Sequence, residues 1–131
     1  MPAAHINLLY KAHPYFLFEN KIFVHGGFNP RFPIEEKGID TFVWDRTLIQ
    51  GARERSLVDK DFKLSSYDEI FLGHTPTLNQ FNSTVPVHIG NVWAMDTGAG
   101  WGGQLSIMDV HSKQIWQSDA TSKLYEGIQG R

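Results

Sequence analysis

Two histidines stand in matching surroundings. His25 follows Ile22-Phe23-Val24 and precedes Gly26-Gly27; His74 follows Ile70-Phe71-Leu72 and sits between Gly73 and Thr75-Pro76. Each β-branched and aromatic run reads as a buried strand, and each histidine falls where strand residues give way to turn residues. In open α/β sheets, ligands bind beyond the carboxyl ends of the strands. Neutral imidazoles at two neighbouring strand ends can share a divalent ion, and the adjacent glycines let backbone come close. The competing reading is that each is a turn histidine with a satisfied hydrogen bond. Repetition of the context is what raises the pair above a lone histidine.

Other residues could serve such a site. Arg46, in Phe42-Val43-Trp44-Asp45-Arg46, carries a guanidinium suited to bidentate contact with phosphate or carboxylate; on a helix, Asp45-Arg46 is more often a solvated surface pair. Asp96 precedes Thr97-Gly98, where a carboxylate organises a tight turn or accepts a hydrogen bond from a ligating histidine. Trp101 lies among four glycines, in a loop that overhangs a site or as an ordinary surface tryptophan. His5, His13, His88 and His111 lack a comparable setting and read as solvent-facing or structural. Serine-hydrolase, dinucleotide-binding and P-loop readings gain no support from the motifs.

The elements that must position these residues suit a single domain spanning residues 1–131. The net charge of −2 gives no sign of general nucleic-acid or membrane affinity. With no cysteine, a transition-metal site has to use imidazole and carboxylate. Cysteine absence, the lack of a long apolar run and a start without a signal-peptide core point to a cytoplasmic protein. Residues 4–12 read as a helix stopped by Pro14. Residues 14–27 read as two strands around Glu19-Asn20-Lys21, and 27–38 as a loop. Asp40 is a candidate N-cap for one helix over 41–55, with Phe42, Val43, Leu48 and Ile49 on its apolar face. Hairpins are expected at Gly90-Asn91 and near His111-Ser112-Lys113, followed by a loose tail after Asp119. The expected class is α/β and sheet-dominant, with about seven strands and one or two helices.

Taken in order, IFVHGGFNP (22–30), FVWDR (42–46), FLGHTPT (71–77) and MDTGAGWGGQLSIMDV (95–110) resemble the C-terminal half of calcineurin-like metallophosphoesterases. Within that family the likeness is to bacterial and phage-type serine/threonine protein phosphatases. It covers nearly the whole chain, including the lead-in over 5–21. VHGG and GHTP together, at this spacing, are more specific than either alone. The resemblance implies a β-sandwich flanked by helices, with two metal ions at the strand ends that activate a water for attack on phosphorus. It implies that His25 and His74 ligate the second metal and that Arg46 contacts the substrate phosphate. Asp96 would be structural, and Trp101 would lie in the loop over the site. Manganese is the expected ion, with iron or zinc as alternatives, and the expected substrates are phosphoserine, phosphothreonine or small phosphate esters.

The family's first half carries GDxHG, GDxxDRG and GNHD or GNHE. None occurs here: there is no Gly-Asp dipeptide, and Gly90-Asn91 is followed by Val92-Trp93. The expectation is therefore a C-terminal portion of a phosphatase domain, without the N-terminal metal-binding half and inactive alone. A non-catalytic binding or regulatory module, or a degenerate remnant of the fold, is the alternative. The four tryptophans suggest a third reading, a small β-sandwich with aromatic ligand-binding loops. Strands without their partners expose apolar edges and faces. The chain is accordingly expected to self-associate through its sheet, which light scattering at micromolar concentration checks; a monodisperse monomer would contradict it.

Overall fold

A computed structural model describes residues 2–127. The chain forms a five-stranded mixed sheet, a separate two-stranded sheet and several short helices. Strands β1 (Tyr15–Phe18) and β2 (Lys21–Val24) are an antiparallel hairpin. Both residues of its turn, Glu19 and Asn20, have positive φ, at 47° and 55°. That pattern matches the right-handed twist of the flanking strands.

The chain then crosses over through a single 3-10 turn (Ile34–Glu36), α2 (Ile39–Trp44) and α3 (Thr47–Ser56). It returns as β3 (Glu69–Leu72), parallel to β2. A short α4 (Thr77–Phe81) leads to the hairpin of β4 (Val87–Ile89) and β5 (Val92–Ala94), which turns at Gly90-Asn91. Strand β5 inserts beside β3 in parallel, giving the order β1-β2-β3-β5-β4. Gly90 has φ +56°, and a β-carbon there would meet the Phe62 carbonyl oxygen at 2.5 Å, so this turn admits only glycine without movement of its neighbour.

The central strands present different chemistry on their two faces, because side chains alternate along a strand. Ile22, Val24, Ile70, Leu72, Val92 and Ala94 point one way and are buried. They pack with Phe42 of α2, with Leu48, Ile49 and Ala52 of α3, and with Phe28, Ile34 and Phe62. On the other face, Phe16, Phe23, Phe71, Trp93 and His88 occupy one register line across all five strands. Phe23 and Phe71 stack at 4.7 Å, and Trp93 stacks on His88 at 4.3 Å.

The hairpin of β6 (Ser106–Met108) and β7 (Ile115–Gln117) reaches this aromatic face through its turn. Lys113 lies 5.3 Å from the Phe71 ring centroid and 5.8 Å from that of Trp93. Its ammonium is 2.6 Å from the Glu69 carboxylate, which also accepts the Trp93 indole N–H at 2.9 Å. Thr97 ties the hairpin to the segment after β5 by hydrogen bonds to the Gln104 carbonyl and the Ser106 hydroxyl.

The seven strands and three hairpin turns fall where the residue patterns place them. Several helical expectations change. Among the described residues there are five α-helices, from α1 (Ala3–Tyr10) to α5 (Thr121–Leu124), and more residues lie in helices than in strands, so the fold is sheet-dominant in architecture only. Short segments such as Thr77–Phe81 carry too little periodicity to be read as helices. The expected helix over 41–55 is two helices, broken at Asp45, whose ψ of 136° is extended. Asp40 is not an N-cap; Gly38 holds that position, and Asp40 lies in the first turn of α2, where its charge suits the helix dipole. The expected loose tail contains α5, and its last residues, 128–131, lie outside the described ones. Among the described residues, no helix is long and apolar enough to cross a membrane.

Burial alone raises the Glu69 pKa, but the hydrogen bonds from Lys113 and Trp93 outweigh it and hold the carboxyl below its ordinary 4.5. A depressed carboxylate pKa stabilises the fold above the unfolded value, and the contribution fades as pH falls through the folded value. The thermal midpoint should therefore drop as pH falls below about 4.5, and Glu69→Gln should flatten part of that drop, as followed by circular dichroism. At pH 7, Lys113→Met should cost roughly 1 kcal/mol through the lost charged hydrogen bond.

Candidate metal and phosphate site

The parallel register of β2 and β3 brings the two histidines together. Val24 is opposite Leu72, so His25 and Gly73 leave the sheet side by side, and the Gly73 N–H donates to the His25 carbonyl at 2.9 Å. The His25 and His74 rings lie 5.1 Å apart between centroids, tilted by 59°. His25 is exposed and His74 only partly so. Gly73 lies directly beside His25: a β-carbon on it would stand in ordinary contact with His25 Nδ1, at 3.5 Å.

His74 is held in an unusual backbone conformation. Its φ is +62°, and the Thr75 N–H donates back to the Gly73 carbonyl at 2.6 Å, a tight three-residue turn. Left-handed conformations cost a non-glycine residue on the order of 1–3 kcal/mol, and such strain clusters at functional sites. His74 Nε2 and the neighbouring Thr75 hydroxyl are both buried without a hydrogen-bond partner. Orphaned buried polar atoms are rare, because each forfeits its hydration.

Three further side chains frame the pair. Trp44 meets His74 edge-on, with centroids 5.5 Å apart and planes at 84°. Burial lowers the His74 pKa below 6.5, the neighbouring Arg46 guanidinium and His25 ring push it the same way, and the Asp96 carboxylate opposes them. The result is an imidazole held neutral, the form that ligates a metal. Asp96 Oδ1 accepts the Gly98 N–H at 2.9 Å, and its main-chain carbonyl accepts the Thr77 N–H at 2.7 Å. It thus organises the turn after β5 while its charge is felt at His74. Arg46 does not lie within a helix as expected; it occupies the break between α2 and α3, with φ −124° and ψ −5°.

The glycines of VHGG serve this break. The Gly26 N–H donates to the Phe42 carbonyl at 2.6 Å, and a β-carbon on Gly26 would lie 2.8 Å from the Val43 carbonyl oxygen. On Gly27 it would lie 2.5 Å from Asp45 Oδ2. The end of α2 therefore sits directly on the loop that carries His25.

No family model matches this sequence, and no curated protein matches it. The functional reading rests on the geometry above and on the motifs that produce it.

His25 and His74 thus form one pair with Trp44 against it, and the charges of Arg46 and Asp96 lie near enough to be felt at His74. Trp101 is 71% exposed, and the 3-10 turn that holds it, Ala99–Trp101, is bound to α5 through the Thr121 hydroxyl and the Ala99 carbonyl. Gly98, Gly100 and Gly103 reproduce a GxGxxG spacing, but they lead into β6 and not into a helix, so the strand–turn–helix cradle for a dinucleotide is not formed. Trp44, Asp45 and Thr75 were not singled out in the sequence. Trp44 and Asp45 precede the arginine in FVWDR, and Thr75 follows the histidine in GHTP, so proximity to the motif residues was the only signal for them. Beside His25, a cavity of about 530 Å³ opens onto the aromatic face, lined by Phe16, Phe23, Phe71, Met95 and Met108 among others.

Proposed function

We propose that His25, His74 and Arg46 form the second-metal and phosphate-contacting part of a metal-dependent phosphomonoesterase centre, as the resemblance to serine/threonine phosphatases implies. The observation that carries this reading is the meeting of the two imidazoles at adjacent parallel strand ends, with His74 Nε2 buried and unpartnered. Buried polar atoms ordinarily have a hydrogen-bond partner, and an open nitrogen beside a second imidazole suits a ligand.

The donors fit part of a coordination sphere. Two neutral imidazoles suit manganese, iron or zinc, and among the described residues no group of three or more His, Asp or Glu side chains is arranged to hold an ion. The remaining donors, a bridging carboxylate above all, have to come from elsewhere. When bound, the metal would supply charge neutralisation and an activated water. The chain's own residues do the rest. Arg46 offers a fork of N–H donors to phosphate oxygens, Trp44 shields one side of His74 from water, and the strained turn at His74 fixes the direction of its ring.

The aromatic face of the sheet supports the same reading. The turn of the β6–β7 hairpin covers it at Phe71 and Trp93 and leaves Phe16 58% exposed, which suits a sheet that packs against a further layer of a sandwich.

The 131-residue chain alone should turn over p-nitrophenyl phosphate negligibly, yet bind cobalt(II) weakly, with visible absorption that weakens in His25→Ala and disappears in His74→Ala. Metal binding indifferent to both substitutions would sink the assignment, and turnover that survives both would place the chemistry elsewhere.

A further inference from the structure

The side chain between Trp44 and Arg46 has an unexpected set of partners. Asp45 Oδ1 accepts the Thr47 hydroxyl at 2.6 Å, and Oδ2 accepts the Leu48 N–H at 3.1 Å. Bonding to the amide three residues on is what an N-cap carboxylate does, so by side-chain bonding α3 begins at Asp45. The same carboxylate fills the space that Gly27 leaves open beside His25, at a distance no β-carbon tolerates. Its backbone is fixed too: the Asp45 N–H donates to the Thr41 carbonyl at 3.1 Å, closing α2, while its extended ψ starts the break. One residue therefore ends one helix, starts the next and packs against the histidine loop.

The geometry points to Asp45 as a positioning residue: its carboxylate, seated over Gly27 and capping α3, sets the helix break that presents Trp44 and Arg46 to the histidine pair. This inference rests on the reading of His25, His74 and Arg46 as a phosphate-binding centre. Asp45 itself touches no substrate. Its two bonds compete with continuation of a single helix through this segment, and without them Trp44 and Arg46 lose the turn that aims them from opposite ends of the break. Gly27 is the matching half of the device, since any larger residue would displace the carboxylate.

Two readouts test it on the full chain: the nuclear Overhauser contact between the Trp44 and His74 rings, and the affinity for inorganic phosphate in the presence of manganese(II), by calorimetry. Asp45→Ala should abolish the ring contact and weaken phosphate binding by at least about tenfold, the scale of a lost charged hydrogen bond. Asp45→Asn should restore both, because its amide oxygen still accepts from Leu48 and its amide nitrogen can donate to Thr47. Arg46→Ala should lose the phosphate affinity and keep the ring contact, which a general loss of structure would not do. If Asp45→Ala does not fold, Thr47→Val at its exposed position decides, with a partial loss of both readouts expected. Ring contact and affinity unchanged in Asp45→Ala, or unchanged in Thr47→Val where the alanine variant is unfolded, would overturn the inference. If the wild-type chain binds no phosphate, the phosphate-centre reading fails, and the ring contact alone still decides whether Asp45 positions Trp44.

Discussion

Val24 stands opposite Leu72 in a parallel ladder, and the two histidines inherit that alignment. A slip of one residue would turn every side chain of one strand to the other face, putting phenylalanine where isoleucine and leucine are buried. The packing of Ile22, Val24, Ile70 and Leu72 against α2 and α3 forbids the slip, because these positions are at most 7% exposed. The chemistry at the strand ends is thus secured by aliphatic burial behind it. Nothing in the imidazoles themselves brings them together; neutral or charged, they gain little from each other without an ion between them.

The crossover that buries this face also builds the rest of the site. Helices α2 and α3 supply Phe42, Leu48, Ile49 and Ala52 to the core, and the break between them carries Trp44 and Arg46. Gly26 and Gly27 allow that break to rest on the histidine loop with no side chain between. Packing and site are therefore not separable here: the contacts that close the core fix the approach of the arginine. The aromatic face works differently. Its stacked rings are spanned by Lys113 and Glu69, a charged link that holds the small sheet against the large one while leaving Phe16 and His88, at the two ends of the row, exposed.

Much of this was legible in the residues. Alternating apolar runs located the strands, and Glu19-Asn20, Gly90-Asn91 and the segment near Lys113 marked the three hairpin turns, because turn chemistry is local. The paired contexts of His25 and His74 were visible for the same reason, while their proximity needed the parallel register, which no local pattern encodes. The helix break at Asp45 was missed because helical periodicity continues through Phe42, Val43, Leu48 and Ile49; the interruption comes from a carboxylate with a glycine opposite it, Gly27 in the loop after β2, eighteen residues away in sequence. Asp40 looked like a cap by residue type, but the cap falls two residues earlier, where Gly38 already supplies the extended backbone. The left-handed turn at His74 was hidden because nothing in a Gly-His-Thr-Pro string requires it.

The central claim is that His25 and His74 respond to one ion as a unit. Histidine ring resonances titrated with substoichiometric manganese(II) test this most directly, since paramagnetic broadening falls steeply with distance from the ion. The account predicts that the His25 and His74 rings broaden together at the same low ratio, ahead of His88 and His111. Broadening of either without the other, or of all the histidines alike, would contradict it.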